Sequence, residues 1–159
     1  MRRFLDWARL IRLPNVFTAQ ADIFLGALAC GALPTHWQPF LWLLAASSSL
    51  YCSGMVWNDI FDRREDRRDR PFRPLPSGRI AVSAALVLAL LLMAGGVAAA
   101  FLADRVLEVR WHAGLLALVL AGAILLYNGV LKGTWAGPLA MGSCRFLNVH
   151  LGLAAAGVW

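Results

Sequence analysis

The chain has 159 residues, of which 60% are hydrophobic and only 15% charged, and its formal net charge is +6. Soluble domains run at about 45–50% apolar and about 25% charged residues; here the apolar surplus is gathered into five runs of 18–24 residues that occupy 102 positions. Runs of that length match membrane-crossing helices, so the pattern excludes a soluble enzyme, a disordered tail and a disulfide-stapled secreted domain, and the lack of alternating segments of about ten residues excludes a β-barrel.

Arg2, Arg3, Arg9 and Arg12 precede the first run, Val16–Leu33. A basic head, an apolar run and the small residues of Ala27-Leu28-Ala29 imitate a secretory signal. Pro14, Asn15 and Asp22 interrupt the stretch, however, and four more runs follow, so it reads as a retained first helix. The second span, Phe40–Trp57, leads into the loop Asn58–Arg79, which holds about half of the charged residues of the chain. Spans three to five are Ile80–Ala103, Ala113–Leu131 and Ala136–Val158, joined by the tight turns Asp104–His112 and Lys132–Trp135. The expected fold class is all-α: residues 1–159 form a single multi-pass transmembrane helical bundle with one functional loop, residues 58–79.

Alternating the spans puts twelve basic residues on the side of the N-terminus and the long loop, against Arg105 and Arg110 on the other. This bias places the chain in the cell membrane with its N-terminus and charged loop in the cytoplasm. The basic excess therefore reports topology, with the lipid bilayer as partner and no nucleic acid. Trp37, Trp57, Trp111, Trp135 and Trp159 fall at span boundaries, where indoles prefer the headgroup region. Cys30, Cys52 and Cys144 lie in apolar runs without metal-type spacing and read as small core residues.

The loop opens Asn58-Asp59-Ile60-Phe61-Asp62-Arg63-Arg64-Glu65-Asp66-Arg67-Arg68-Asp69-Arg70. If the second span continues into it as a helix, Asn58 and all five carboxylates fall in one arc of roughly 120°, with the arginines outside it. Carboxylates on one face repel unless a cation joins them, and Mg²⁺ takes carboxylate oxygens while sharing other positions with substrate phosphates. One reading is thus a metal–diphosphate site at the membrane surface; the other is a solvated loop of paired charges. Arg73-Pro74-Leu75-Pro76-Ser77-Gly78-Arg79 follows. Its prolines end any helix, Ser77 can cap the third span, and Arg73 and Arg79 either flank a phosphate-binding mouth or contact headgroups.

Asn58-Asp59-x-x-Asp62-x-x-x-Asp66 followed by Arg-Pro-Leu-Pro-Ser-Gly resembles the first aspartate-rich motif of the UbiA superfamily of intramembrane prenyltransferases. Arg12-Leu13-Pro14-Asn15 and Tyr127-x-x-x-x-Lys132 are similar to that superfamily too. Met141-Gly142-x-Cys144-Arg145-x-Leu147-Asn148-x-x-x-Gly152 resembles its EboC-type branch. The resemblance implies a bundle of about nine spans, of which about five are present here, and the Mg²⁺-dependent transfer of a prenyl group from a prenyl diphosphate donor to an aromatic or lipid-like acceptor. It implies Asn58, Asp59, Asp62 and Asp66 as metal ligands, with Asp62 and Asp66 central to catalysis. It also implies Asn58 and Lys132 as diphosphate contacts, to which the residue pattern adds Arg73, Arg79 and Arg145 as candidates. The superfamily has a second aspartate-rich motif that this chain lacks. The sequence therefore reads as an N-terminal half, with more spans expected beyond Trp159 and no transfer activity expected from residues 1–159 alone.

Inside the spans, Asp22 is costly unless it faces the bundle or a polar cavity, and Arg145 is the one basic residue within a run. The two either pair or each face the substrate. Lys132 either snorkels to the interface or approaches the diphosphate. Gly129-x-x-x-Gly133 and Gly95-Gly96 read as helix packing. Two other functions compete. A CDP-alcohol phosphotransferase would need Asp-Gly and Ala-Arg in the acidic run, where this chain has Asp-Arg. A non-catalytic lipid-binding or partner subunit would keep the fold without the chemistry.

Overall fold

The computed structural model describes residues 2–157, with side chains from Phe4 onward. The topological arginines Arg2 and Arg3 fall outside the described side chains, and Val158 and Trp159 outside the described residues. The helices in chain order are α1 (Arg2–Leu10), α2 (Val16–Ala29), α3 (Trp37–Phe61), α4 (Arg63–Asp69), α5 (Val82–Val106), α6 (His112–Leu126) and α7 (Gly137–Leu153). A 3₁₀ turn over Leu13–Asn15 precedes α2, a π-helical turn over Tyr127–Leu131 extends α6, and a 3₁₀ turn over Ala154–Ala156 ends α7. No strand occurs among the described residues.

Each predicted span has become a helix, but the lengths differ. Among the described residues three helices are long and apolar enough to cross a membrane: Trp37–Phe61, Val82–Val106 and His112–Leu131, whose 18-residue windows have mean hydropathies of 1.3, 2.5 and 2.2. α2 has only 14 residues because local chemistry stops it at both ends. Pro14 sits in the preceding 3₁₀ turn, and Gly31 takes φ +67°, a left-handed backbone that glycine adopts without strain. The third span begins at Val82 and has no side-chain cap. Ser77, expected to cap it, donates instead to the Pro74 carbonyl at 3.1 Å.

Five helices form a closed ring in which α2 packs on α3, α3 on α5, α5 on α6, α6 on α7, and α7 back on α2. The buried interior is rich in alanine: Ala27, Ala46, Ala99, Ala100, Ala103, Ala113, Ala117 and Ala155 join Ile23, Leu43, Leu50 and Leu151. Small side chains let helix axes approach, the usual way to gain contact where lipid removes the hydrophobic drive between helices. α2 and α7 approach to backbone contact. A Cβ added to Gly26 would lie 2.6 Å from the Leu153 amide nitrogen, and one on Gly152 would lie 2.5 Å from the Ile23 carbonyl oxygen. The outer faces of α5 and α6 carry exposed Val87, Leu90, Leu91, Leu115, Leu118 and Val119, as lipid contact requires.

At one end of the ring, α1 and the loop after α4 seal the bundle. Leu10, Val56, Leu75, Ile80, Ala85 and Ala89 form a second buried cluster there. Arg79 Nε donates to Asp6 at 3.0 Å and its terminal nitrogen to the Phe72 carbonyl at 2.7 Å. At the opposite end, buried Asp104 of α5 accepts the free amides of Ala113 and Gly114 at 2.9 Å each, so a carboxylate from the neighbouring helix caps α6.

Candidate active site

The ring encloses a cavity of about 470 Å³ lined by α2, α3, the α6–π segment and α7. On α3 its wall is Ser47, Leu50, Tyr51, Gly54, Met55, Asn58 and Asp62. This is one helical stripe at three- and four-residue spacing. Its middle is apolar, with Leu50, Met55, Leu120 and Ile124, and its two ends are polar. Ser47 and Asn58 are eleven residues apart on one helix, about 16 Å along the axis.

The polar mouth is built where α3 passes into α4. The Asp62 amide bonds the Asn58 carbonyl at 2.9 Å and the Asp66 amide bonds the Asp62 carbonyl at 2.8 Å. Helical spacing therefore continues across the junction, as expected for the acidic run, but its carboxylates do not form one site. Asn58 and Asp62 face the cavity and are joined, Asn58 Nδ2 donating to Asp62 Oδ2 at 3.0 Å. Lys132 Nζ donates to Asn58 Oδ1 at 2.9 Å and to the Asp62 carboxylate. Asp59 and Asp66, only 4% and 3% exposed, lie behind the wall. Asp59 accepts Arg12 at 3.2 Å and Arg73 at 3.4 Å, and Asp66 accepts Arg73 at 2.6 Å. Glu65 and Asp69 point outward and are exposed.

The placement differs from expectation in two respects. Asp59 and Asp66 do not line the cavity; they hold Arg12 and Arg73, which do. Arg79 is not at the mouth, because Asp6 and the Phe72 carbonyl hold it over α1. Arg73 and Lys132 do line the cavity, joined by Arg70 and by Arg12, whose part in the site was not foreseen. Arg12 takes φ +50° between α1 and α2, a conformation rare outside glycine. The structure holds that strained turn with the side chain on Asp59. Its place in Arg12-Leu13-Pro14-Asn15 was the available clue.

The deep end is a second network. Arg145 donates to Asp22 at 2.7 Å, so the two are paired, and both also line the cavity. Asn148 Nδ2 donates to the Ala19 carbonyl at 2.9 Å and to Asp22 at 3.3 Å, while Ser47 donates to Asn148 Oδ1 at 2.7 Å. The Asp22 side chain is 10% exposed and that of Arg145 is 62% exposed. Arg145→Leu, which strands a buried carboxylate, should cost about 2 kcal/mol, less than a fully buried pair because Arg145 is so open. Asp22→Asn should cost less, and the double variant less than the sum. Unfolding in detergent measures all three; additive losses would show that the pair is not coupled.

Among the described residues no three His, Cys, Asp or Glu side chains come close enough for an all-protein metal cage. The donor set suits a shared site. Asn58 Oδ1 and Asp62 Oδ2 converge on a single cationic nitrogen, and the cavity-lining Asn128 has a buried Oδ1 with no hydrogen-bond partner. Hard oxygens in this number fit Mg²⁺ that takes its remaining positions from water and phosphate.

The model of the UbiA prenyltransferase family matches residues 22–159, and the chain belongs to that family. It is 28% identical to the digeranylgeranylglyceryl phosphate synthase of Saccharolobus solfataricus over 148 residues, 92% of this chain and 50% of the relative. It is 37% identical to the Sulfolobus acidocaldarius synthase of the same name over 93 residues, 57% and 32% of the two chains. The Natronomonas pharaonis synthase is 30% identical over 133 residues, 84% and 46%. A solved structure concerned with digeranylgeranylglyceryl phosphate synthase in membranes superposes with a TM-score of 0.87 at 26% identity, over 98% of this chain and 54% of that one. The chain thus spans about half the length of the relatives it matches.

Proposed function

We propose that this chain supplies the donor-binding half of a Mg²⁺-dependent intramembrane prenyltransferase. The observation that carries the reading is the cavity itself. An apolar chamber opens at one end onto Arg12, Arg70, Arg73 and Lys132 beside the Asn58–Asp62 pair. That combination suits a prenyl diphosphate, with the hydrocarbon against Leu50, Met55, Leu120 and Ile124 and the diphosphate among the cations. Arg12 and Arg73, held by Asp59 and Asp66, would bind phosphate oxygens as preorganised donors. Asn58 and Asp62 would hold Mg²⁺, which when bound neutralises the leaving diphosphate. The cations take up charge as the bond between the prenyl carbon and the diphosphate breaks, and the acceptor traps the allylic carbon. Of the aromatic and lipid-like acceptors, the names of the relatives favour a lipid bearing glycerol phosphate.

Radiolabelled geranylgeranyl diphosphate should bind the protein in proteoliposomes when Mg²⁺ is present, and EDTA should abolish that binding. No binding with Mg²⁺ present, or undiminished binding in EDTA, would overturn the reading.

The same end of the bundle carries Arg12, the arginines of residues 63–79 and Lys132, which supports a cytoplasmic mouth. Ser77 is exposed there. With Cys30, Cys52 and Cys144 replaced, a Ser77→Cys protein in intact cells should resist a membrane-impermeant maleimide and label only after permeabilisation. Labelling from outside would reverse the orientation.

A further inference from the structure

We propose that Lys132 is a resident counter-cation, occupying the Asn58 and Asp62 oxygens until a diphosphate arrives, so that Mg²⁺ and diphosphate bind cooperatively. This rests on the metal–diphosphate reading of the mouth. Lys132 Nζ donates to both cavity-facing oxygens that would hold the metal. One point between two oxygens cannot hold an ammonium and a dication together. Binding of metal alone therefore requires Lys132 to leave its carboxylate partner Asp62, and the released ammonium enters a wall already carrying Arg12, Arg70 and Arg73. When a diphosphate is present, the same ammonium gains a phosphate oxygen in exchange. Its departure is thus unfavourable in one case and compensated in the other.

The neighbouring cations are placed differently. Arg12 and Arg73 are tied to buried carboxylates that do not face the cavity. Lys132 is the cation on the open oxygens, with a side chain 35% exposed on a flexible stem. Its backbone lies at the end of the π-helical turn, where its amide reaches the Tyr127 carbonyl at 2.9 Å, and Gly133 follows with open space around it. A π-turn is a frequent mark of a functional position, and here it brings the lysine onto the α3 oxygens. Linkage makes the coupling reciprocal: whatever Lys132 adds to metal affinity through diphosphate, it adds to diphosphate affinity through metal.

The test measures Mn²⁺ binding by electron paramagnetic resonance, with and without inorganic pyrophosphate, and pyrophosphate binding with and without Mn²⁺. The parent should bind Mn²⁺ weakly alone and on the order of 10-fold or more tightly with pyrophosphate. Lys132→Met should bind Mn²⁺ alone more tightly, again on the order of 10-fold, and lose most of the coupling. Lys132→Gln serves as a second variant, and Arg64→Gln, which removes a loop charge away from the oxygens, should leave Mn²⁺ binding unchanged. Equal Mn²⁺ affinity in the parent and both Lys132 variants, with coupling intact, would overturn the counter-cation while leaving the prenyltransferase reading in place. An Arg64→Gln effect as large as that of Lys132→Met would also overturn it, since any nearby charge would then suffice. If the parent binds neither Mn²⁺ nor pyrophosphate under any condition, both readings fall.

Discussion

In the enzyme that contains this donor-binding half, Asp62→Asn should reduce kcat/KM for the prenyl diphosphate by about 100-fold or more, the usual size of losing a central electrostatic group in an active site. Asp62 is the one acidic side chain of its run that lines the cavity. Its amide replacement keeps shape and one acceptor but removes the charge that binds Lys132 and that would bind Mg²⁺ in its place. Asp66→Asn should behave differently. It loosens Arg73, whose 2.6 Å bond it weakens, and should raise the KM for the donor while leaving binding of Mn²⁺ in place. Arg64→Gln, exposed and outside the cavity, should change kcat/KM by less than about twofold. Steady-state kinetics in proteoliposomes with metal titrations separates these variants. Loss of metal binding in Asp66→Asn equal to that in Asp62→Asn would defeat the division between cavity-facing and arginine-holding carboxylates.

Gly26→Ala should be the most damaging small substitution in the bundle, costing about 3 kcal/mol, the upper range of ordinary overpacking. The added carbon would meet backbone atoms, the Leu153 nitrogen at 2.6 Å and the Gly152 carbonyl carbon at 2.8 Å. A flexible side chain could swing away, but here α2 and α7 would have to separate, and Asp22, Asn148 and Arg145 hold those two helices together. Gly122→Ala on α6 is the control. Nothing lies within 4 Å of its added carbon, and mid-helix glycine costs about 0.5–1 kcal/mol relative to alanine, so this variant should be neutral or stabilised. Unfolding in detergent reads both; equal behaviour would show that α2 and α7 do not touch as described.

The five helical segments were legible because apolar runs near 20 residues leave the backbone no satisfied alternative in lipid. Their ends were less so. The shortness of α2 depends on Pro14 and on the positive φ of Gly31, which hydropathy does not register. The i,i+4 pair of Asn58 and Asp62 was readable from spacing alone. The projection failed for Asp59 and Asp66 because it places carboxylates around one axis and is blind to cations from other segments; Arg12 comes from 47 residues upstream of Asp59. Arg79 looked like Arg73 by sequence neighbourhood, but a turn through the prolines sends it to Asp6. The glycine pairs singled out for packing were partly misplaced. Gly96 does meet α3, its added carbon lying 3.0 Å from the Ala46 carbonyl, while Gly95 and Gly133 have open space. The tight backbone contact of Gly26 with Gly152 and Leu153 joins residues far apart in sequence and shows only once α2 and α7 are side by side.

The carboxylate that closes α6 belongs to α5, and this bears on how the chain enters a bilayer. Alone, α6 would present the amides of Ala113 and Gly114 unmet at its leading edge, and α5 would carry a bare Asp104 at its trailing edge. Either helix by itself is a poor passenger in hydrocarbon. Joined, each cancels the other's defect, so the translocation machinery is best served by releasing them sideways as a hairpin. Asp104 is in this sense an instruction about the order of assembly, written far from the chemistry at the other end of the helix.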